Sequence, residues 1–163
     1  MDAGVMISAS HNPVEDNGIK FFGRDGFKLS DETELEIERL MDADTDELPR
    51  PIGGDLGEVA DRPELARNYI AFLKSTIDVD FNGLRIVLDC ANGAAHGLAP
   101  KVFRELGADV HLIGAAPDGL NINAGCGSTH PEALQAEMRR LNADLGLSFD
   151  GDADRLIAIV DHG

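Results

Sequence analysis

The chain has 163 residues, enough for one ordinary domain or for one domain and part of another. It is 43% hydrophobic and 27% charged, a globular composition, with no apolar run of about 18 residues to cross a bilayer and no basic-then-apolar leader. Thirty acidic residues against 14 basic ones leave a net charge of −16, which argues against a nucleic-acid or anionic-membrane partner, because such polyanions need Lys and Arg to replace their counterions.

These features predict a soluble, cytoplasmic protein. Cys90 and Cys126 are far apart and neither has a C-x-x-C partner, so reduced thiols are expected rather than a disulfide framework or a zinc site. A phosphorylated small molecule would be repelled by the overall charge, so a phosphate site here must be locally basic or metallated.

In chain order, Gly4 to Ser8 is a short apolar run opening into the polar turn Ser10-His11-Asn12-Pro13, the pattern of a buried strand delivering a loop. A parallel-sheet domain that starts on such a loop is expected to lack its earlier elements. Ile19 to Phe22 and Phe27 to Leu29, split by Gly23-Arg24-Asp25-Gly26, predict a hairpin. Ser30 or Asp31 then caps a helix through about Met41, with Leu35, Leu40 and Met41 on its inner face and acids crowded into its early turns. Acidic residues, prolines and glycines dominate 42–59, the composition of a connection, and divide the chain into expected domains 1–57 and 58–163.

Asp61-x-x-Glu64, with Pro63 in the first turn, starts a helix to about Ser75 whose Leu65, Tyr69, Phe72 and Leu73 share a face. Beyond it the pattern is regular: strand Arg85 to Asp89, helix His96 to Leu106, strand Asp109 to Ile113, helix Pro131 to Leu141, and strands Leu145 to Phe149 and Leu156 to Val160. Strands alternating with helices predict an α/β layer with a largely parallel sheet.

Two segments carry the chemistry. Asp150, Asp152 and Asp154 alternate on a Gly-containing turn between apolar strands, so three carboxylates can converge on a cation; oxygen ligands select a hard one, and Mg²⁺ fits where a phosphate oxygen completes the shell. The plain alternative is a solvated acidic turn. A helix-flanked calcium loop is excluded, because its Gly and Glu positions hold Arg155 and Asp161 and strands flank the turn.

Ser10 offers a hydroxyl on a tight turn, and His11 or Lys20 can move the proton its attack requires; the competing reading makes Ser8, Ser10 and Asn12 ordinary turn residues. Arg155 is either a phosphate-orienting fork or a partner for the carboxylates beside it. Asn92-Gly93-Ala94-Ala95-His96-Gly97 opens a helix but lacks a nucleotide-binding fingerprint, so it reads as a structural turn. Gly125-Cys126-Gly127-Ser128-Thr129-His130-Pro131 precedes a helix that Ser128 or Thr129 is expected to cap.

With Asp16-Asn17-Gly18-Ile19-Lys20-Phe21-Phe22 between them, the two motifs resemble the α-D-phosphohexomutase family. More narrowly, Ile7-Ser8-Ala9-Ser10-His11-Asn12-Pro13 and Asp118-Gly119-Leu120-Asn121-Ile122-Asn123, leading into Cys126-Gly127-Ser128-Thr129-His130-Pro131, are similar to its bacterial branch acting on glucosamine phosphates. Ser8 stands where the phosphomannomutase and phosphoglucomutase branches, the alternatives, usually carry Thr. The similarity runs along essentially the whole chain.

The resemblance implies that Ser10 is a phosphoserine, that Asp150, Asp152 and Asp154 bind Mg²⁺ together with Ser10 and its phosphate, and that His11, Lys20 and Arg155 surround the transferring group. It implies an isomerase that moves phosphate between the 6- and 1-positions of a hexosamine, with glucosamine 1,6-bisphosphate as intermediate and activator, for amino-sugar nucleotide and cell-wall precursor synthesis. Family members have four domains, and the chain is expected to cover the tail of the first and nearly all of the second: a mixed, largely parallel sheet with flanking helices, preceded by an incomplete α/β domain. The sugar-recognition loop of the third domain and the phosphate-clamping loop of the fourth are expected to have no counterpart in these residues. Since orientation supplies several kcal/mol of catalysis, the chain alone is expected to have negligible mutase activity.

Two rivals come from other classes. A haloacid-dehalogenase-type phosphatase would use Asp150 as nucleophile and Asp152 as acid with Mg²⁺, but expects Thr or Val at Asp154 and further Lys and Asp motifs downstream. A non-catalytic cation-binding module explains the acidic loop and leaves the Ser10 segment without a purpose.

Overall fold

A computed structural model describes residues 2–45 and 48–160, so Asp46 and Glu47 of the expected connection and Asp161 of the excluded calcium loop lie outside the described residues. By its internal contacts the chain divides into two units, Met1–Met6 with Ile19–Arg62, and Ile7–Gly18 with Pro63–Gly163. The Ser10 turn thus packs with the second unit although it follows the first strand.

β1 (Ala3–Ser8) and β2 (Gly18–Gly23), which lie mostly in the first unit, form a two-stranded sheet. The strand expected to be buried is largely exposed, with Ile7 at 72%, because β2 is its one hydrogen-bonded neighbour. The expected hairpin shrinks to a turn: Gly23 N–H donates to the Phe27 carbonyl at 2.8 Å, and a single antiparallel bridge links Phe22 to Lys28. Helix α1 (Asp31–Met41) begins as predicted, the Ser30 hydroxyl accepting from Thr33 N–H at 3.3 Å with acids filling the first turn. Its inner face is a correction. Leu35, Leu40 and Met41 are all exposed and only Ile37 is half-buried, so amphipathic spacing here does not translate into burial.

The second unit carries a four-stranded sheet in the order β4-β3-β5-β6, from β3 (Arg85–Asp89), β4 (Asp109–Ile113), β5 (Leu145–Phe149) and β6 (Leu156–Val160). β3 is parallel to both β4 and β5, and β6 returns antiparallel to β5. Being central, β3 is buried on both faces. Ile86, Leu88 and Cys90 point to one side, with Ala95, Ala108 and Leu147, against Phe103 of α3 (Ala99–Glu105); Val87 points to the other, with Leu134 and Met138 of α4 (Glu132–Leu141). Gly146 lets α4 sit close on the sheet, since a Cβ there would collide with the Met138 sulfur.

Three helix details depart from the sequence reading. The helix expected over His96 to Leu106 is a 3₁₀ turn, Ala94–Gly97, followed by α3; between them Leu98, at φ −110° and ψ −53°, closes its N–H on the Ala95 carbonyl three residues back, at 3.1 Å. Pro131, not Ser128 or Thr129, occupies the N-cap position of α4, which begins there without a side-chain cap. On α2 (Pro63–Ser75) the buried residue is Ile70, whereas Leu65, Tyr69 and Phe72 of the expected inner face are about half exposed or more.

The topology places the chemistry. β3 connects through α3 to β4 on one side, and the chain then crosses by α4 to β5 on the other, so the connections diverge between β3 and β5. Ligands of open α/β sheets bind outside the carboxyl ends of the strands at such a divergence. The segments leaving that point here begin at Asp89 and Asp150.

Candidate functional site

Asp150 follows β5 directly and is fully buried; Asp152 is half-buried and Asp154 exposed. One oxygen from each lies within 4.8 Å of the others. Burial, above all, pushes the Asp150 carboxyl above its usual range; the Arg155 backbone N–H, donating to Oδ1 at 3.3 Å, opposes this, and the charges of Asp152 and Asp154 add to it. A buried carboxyl whose ionised form is disfavoured by two neighbouring carboxylates is a good fit for a hard divalent cation, which reverses the sign of every one of those interactions.

The turn that carries Ser10 reaches the same place. Ser10 Oγ donates to Asp150 Oδ2 at 3.4 Å and lies 3.5 Å from His11 Nδ1. Ser10 itself is in the left-handed region, φ 50°, with its N–H on Ser8 Oγ at 2.9 Å and its carbonyl accepting from Gly151 N–H at 2.9 Å. The two motifs are therefore tied through backbone as well as side chain. Gly151 permits the approach, because a Cβ there would strike the Ser10 carbonyl oxygen.

The remaining expected residues are placed differently. Arg155 leaves its side chain 59% exposed, its Nε 4.0 Å from Asp154 Oδ1, a long contact that keeps the fork in solvent. Lys20 is half-buried on β2, within the first unit. The Asn92–Gly97 loop is structural, as its sequence suggests: Ala94 N–H donates to the Gly151 carbonyl at 2.8 Å, and Gly93 is packed against Gly151 so closely that a Cβ would overlap its backbone. Cys90 and Cys126 are both free and buried, the Cys90 thiol pushed up to about 12 by burial and by the Asp89 charge.

Two residues escaped the sequence reading. Asp89, fully buried at the end of β3, accepts from Gly127 N–H at 2.7 Å and Ala91 N–H at 3.0 Å and so fixes both glycine-bearing loops. Asn123, 7% exposed, donates to the carbonyls of Ser10 and Asn12. Asp89 reads in sequence as the polar end of a strand and Asn123 as part of a polar loop, and neither period nor spacing marks a side chain whose partners are remote backbone groups. Beside the Ser10 turn, His11, Asn123, Thr129 and His130 help to line an open cleft of about 320 Å³.

Comparison with known proteins divides the chain by sequence alone and leaves the Ser10 turn with the N-terminal part. The family description "Phosphoglucomutase/phosphomannomutase, alpha/beta/alpha domain I" matches residues 1–48, and its domain II counterpart matches residues 67–163. Phosphoglucosamine mutase of Bacillus subtilis is 64% identical over 162 residues, and that of Anoxybacillus flavithermus 63% identical over 161. Both alignments cover 99% of this chain, which spans 36% of the length of each relative. Among solved structures, a phosphoglucomutase/phosphomannomutase family protein from Burkholderia thailandensis superposes with a TM-score of 0.72 at 30% identity, covering 97% of this chain and 33% of that one.

Proposed function

The chain belongs to the phosphoglucomutase/phosphomannomutase family, and from that premise we propose that it is the phosphoryl-carrying part of a phosphoglucosamine mutase, an isomerase that interconverts glucosamine 6-phosphate and glucosamine 1-phosphate through glucosamine 1,6-bisphosphate. The identity of 64% to the Bacillus subtilis enzyme supports the glucosamine branch over its phosphomannomutase and phosphoglucomutase kin. The observation that carries the reading is the hydroxyl of Ser10 lying 3.4 Å from a carboxylate 140 residues away, in the only three-carboxylate cluster among the described residues.

In this reading Ser10 Oγ attacks a phosphoryl group of the bisphosphate, forming the serine O–P bond as the sugar O–P bond breaks. The hydroxyl proton passes to His11 Nδ1, 3.5 Å away, and returns to the sugar oxygen that leaves. Asp150, Asp152, Asp154 and the Ser10 phosphate would hold Mg²⁺, which would supply charge neutralisation for the phosphoryl oxygens. The exposed guanidinium of Arg155 orients a substrate phosphate. Lys20 enters through the motif it shares with the family, as a second group for charge or proton movement.

The domain assignment in this reading is 1–57 as the end of domain I and 58–163 as domain II, with the rest of the longer enzyme as the partner that orients the sugar. The setting is cytoplasmic, with a phosphosugar substrate and no nucleic-acid or membrane partner; among the described residues no helix is long and apolar enough to cross a membrane. Buried Asp150, with both oxygens engaged by Ser10 and Arg155, is a poor nucleophile, which counts against the phosphatase rival.

Phosphopeptide mapping of the purified chain after exposure to glucosamine 1,6-bisphosphate with Mg²⁺ tests this. Phosphate on Ser10 and none on Ser10→Ala is expected, with negligible turnover of glucosamine 6-phosphate by the chain alone. A bare Ser10, or an acid-labile phosphate on Asp150, overturns it.

A further inference from the structure

We propose that Asn123 is a positioning residue for phosphoryl transfer: by donating to the carbonyls of Ser10 and Asn12, its side-chain amide holds Ser10 in the left-handed conformation that presents the hydroxyl to the Asp150 loop. The functional half of this inference rests on Ser10 being the phosphoryl acceptor. The structural half does not.

Asn123 Nδ2 lies 2.7 Å from the Ser10 carbonyl oxygen and 2.8 Å from that of Asn12. Both partners are acceptors, so the amide must present its NH₂ group, and both of its protons are used. The Ser10 carbonyl is thereby held twice, by Asn123 from one side and by Gly151 N–H at 2.9 Å from the other. With both lone pairs engaged, the orientation of the peptide plane after Ser10 is fixed.

That constraint has a purpose, because φ 50° at a serine is a conformation that L-residues avoid. Such angles persist only where the surroundings over-determine them. Asn123 is suited to supply the restraint. It is 7% exposed and has φ 57° itself, an angle asparagine tolerates better than other L-residues. Its N–H donates to the Ala91 carbonyl at 2.9 Å, and Ala91 N–H in turn donates to buried Asp89 at 3.0 Å. The clamp is therefore rooted in the central strand β3, the most buried element of the sheet.

Removing the amide leaves the Gly151 tie in place, so the turn should loosen rather than the unit unfold. Asn123→Asp keeps the shape but turns oxygens toward two carbonyls, and Asn123→Gly suits the positive φ while deleting the side chain. If either variant fails to fold by circular dichroism, the other carries the test. In the full chain, hydrogen–deuterium exchange across Ser8 to Asn12 should rise roughly tenfold or more in both variants, as expected for losing two partly buried hydrogen bonds, with exchange in β3 and β5 unchanged. Phosphate uptake by Ser10 from glucosamine 1,6-bisphosphate should slow by about tenfold at saturating donor, with the half-saturating concentration unchanged, the pattern of a misplaced nucleophile.

Unchanged exchange in the Ser8 to Asn12 turn overturns the proposal. So does a loosened turn that still takes up phosphate at the original rate, since Asn123 would then be structural only. Should the unsubstituted chain take up no phosphate, the reading of Ser10 fails on its own account, and the exchange result alone decides whether Asn123 clamps the turn: acceleration supports the clamp and its absence refutes it.

Discussion

The two units use similar sequence patterns to opposite effect. α1 in the first unit and α2 and α4 in the second all space apolar residues at helical intervals, yet α1 buries no residue while α4 buries Leu134 and Met138 completely or nearly so. β1 is apolar at Val5, Met6 and Ile7 and exposes all three; β3, equally apolar, exposes nothing from Ile86 to Asp89. The difference lies in neighbours. β3 has a parallel strand on each side and core clusters on both faces, whereas β1 has one neighbour in a two-stranded sheet. An apolar pattern states what a segment is able to bury, and the number of layers around it decides what is buried.

The comparison can be broken most sharply at the centre of the sheet. Leu88→Ala should cost about 2–5 kcal/mol, as deletion of a fully buried leucine does, visible as a large fall in melting temperature; a loss below about 1 kcal/mol would mean that β3 is not the packing centre. Gly93→Ala comes next, because its methyl overlaps the Gly151 backbone. It should destabilise by about 1–3 kcal/mol, the usual range for overpacking, and weaken Mg²⁺ binding in calorimetry by moving the carboxylate loop.

Asp150→Asn should act with opposite signs on two measurements. Without metal it removes a buried carboxylate crowded by two others, so thermal stability should rise by roughly 1 kcal/mol, while Mg²⁺ binding should be lost. A fall in stability would show that the ionised form is well accommodated without a cation. Smaller still is the thiol test. With Cys90 pushed up to about 12, on the order of one molecule in ten thousand carries its thiolate at pH 8, so modification by a maleimide should be slow in the folded chain and fast in urea. At the bottom of the scale, Leu35→Ala on exposed α1 should change stability by no more than about 0.5 kcal/mol.

Much of this was legible in the sequence. The α/β class, the largely parallel sheet and nearly every element of the second unit follow from apolar periodicity and turn residues, which dominate where strands are short, regular and buried. The elements misjudged share a cause. For Leu35, Leu40, Ile7 and Phe72 the pattern predicts an interior, and pattern carries no information about whether a covering layer exists. The helix at His96 broke at Leu98 through local backbone geometry that propensity does not encode.

At the site, the three aspartates stand out because clustered carboxylates repel unless a cation holds them, whereas Ser10 alone reads equally well as an ordinary turn residue and gains its role from the resemblance. Their meeting, across 140 residues, was suggested by resemblance and then appears as a 3.4 Å contact. Asp89 and Asn123 stayed hidden because each works through backbone groups brought near by the fold. No residue type at any spacing announces such a partner.

The most direct test of the central claim, that the serine turn and the carboxylate loop make one site, is the Mg²⁺ affinity of the chain with Ser10 phosphorylated and with Ser10 bare, measured by calorimetry on the same preparation. If the phosphate completes the cation's shell, phosphorylation should tighten binding by roughly tenfold or more, and the gain should vanish in Asp152→Asn. Equal affinities in the two forms would contradict the account, since they would place the metal and the phosphoserine in separate sites.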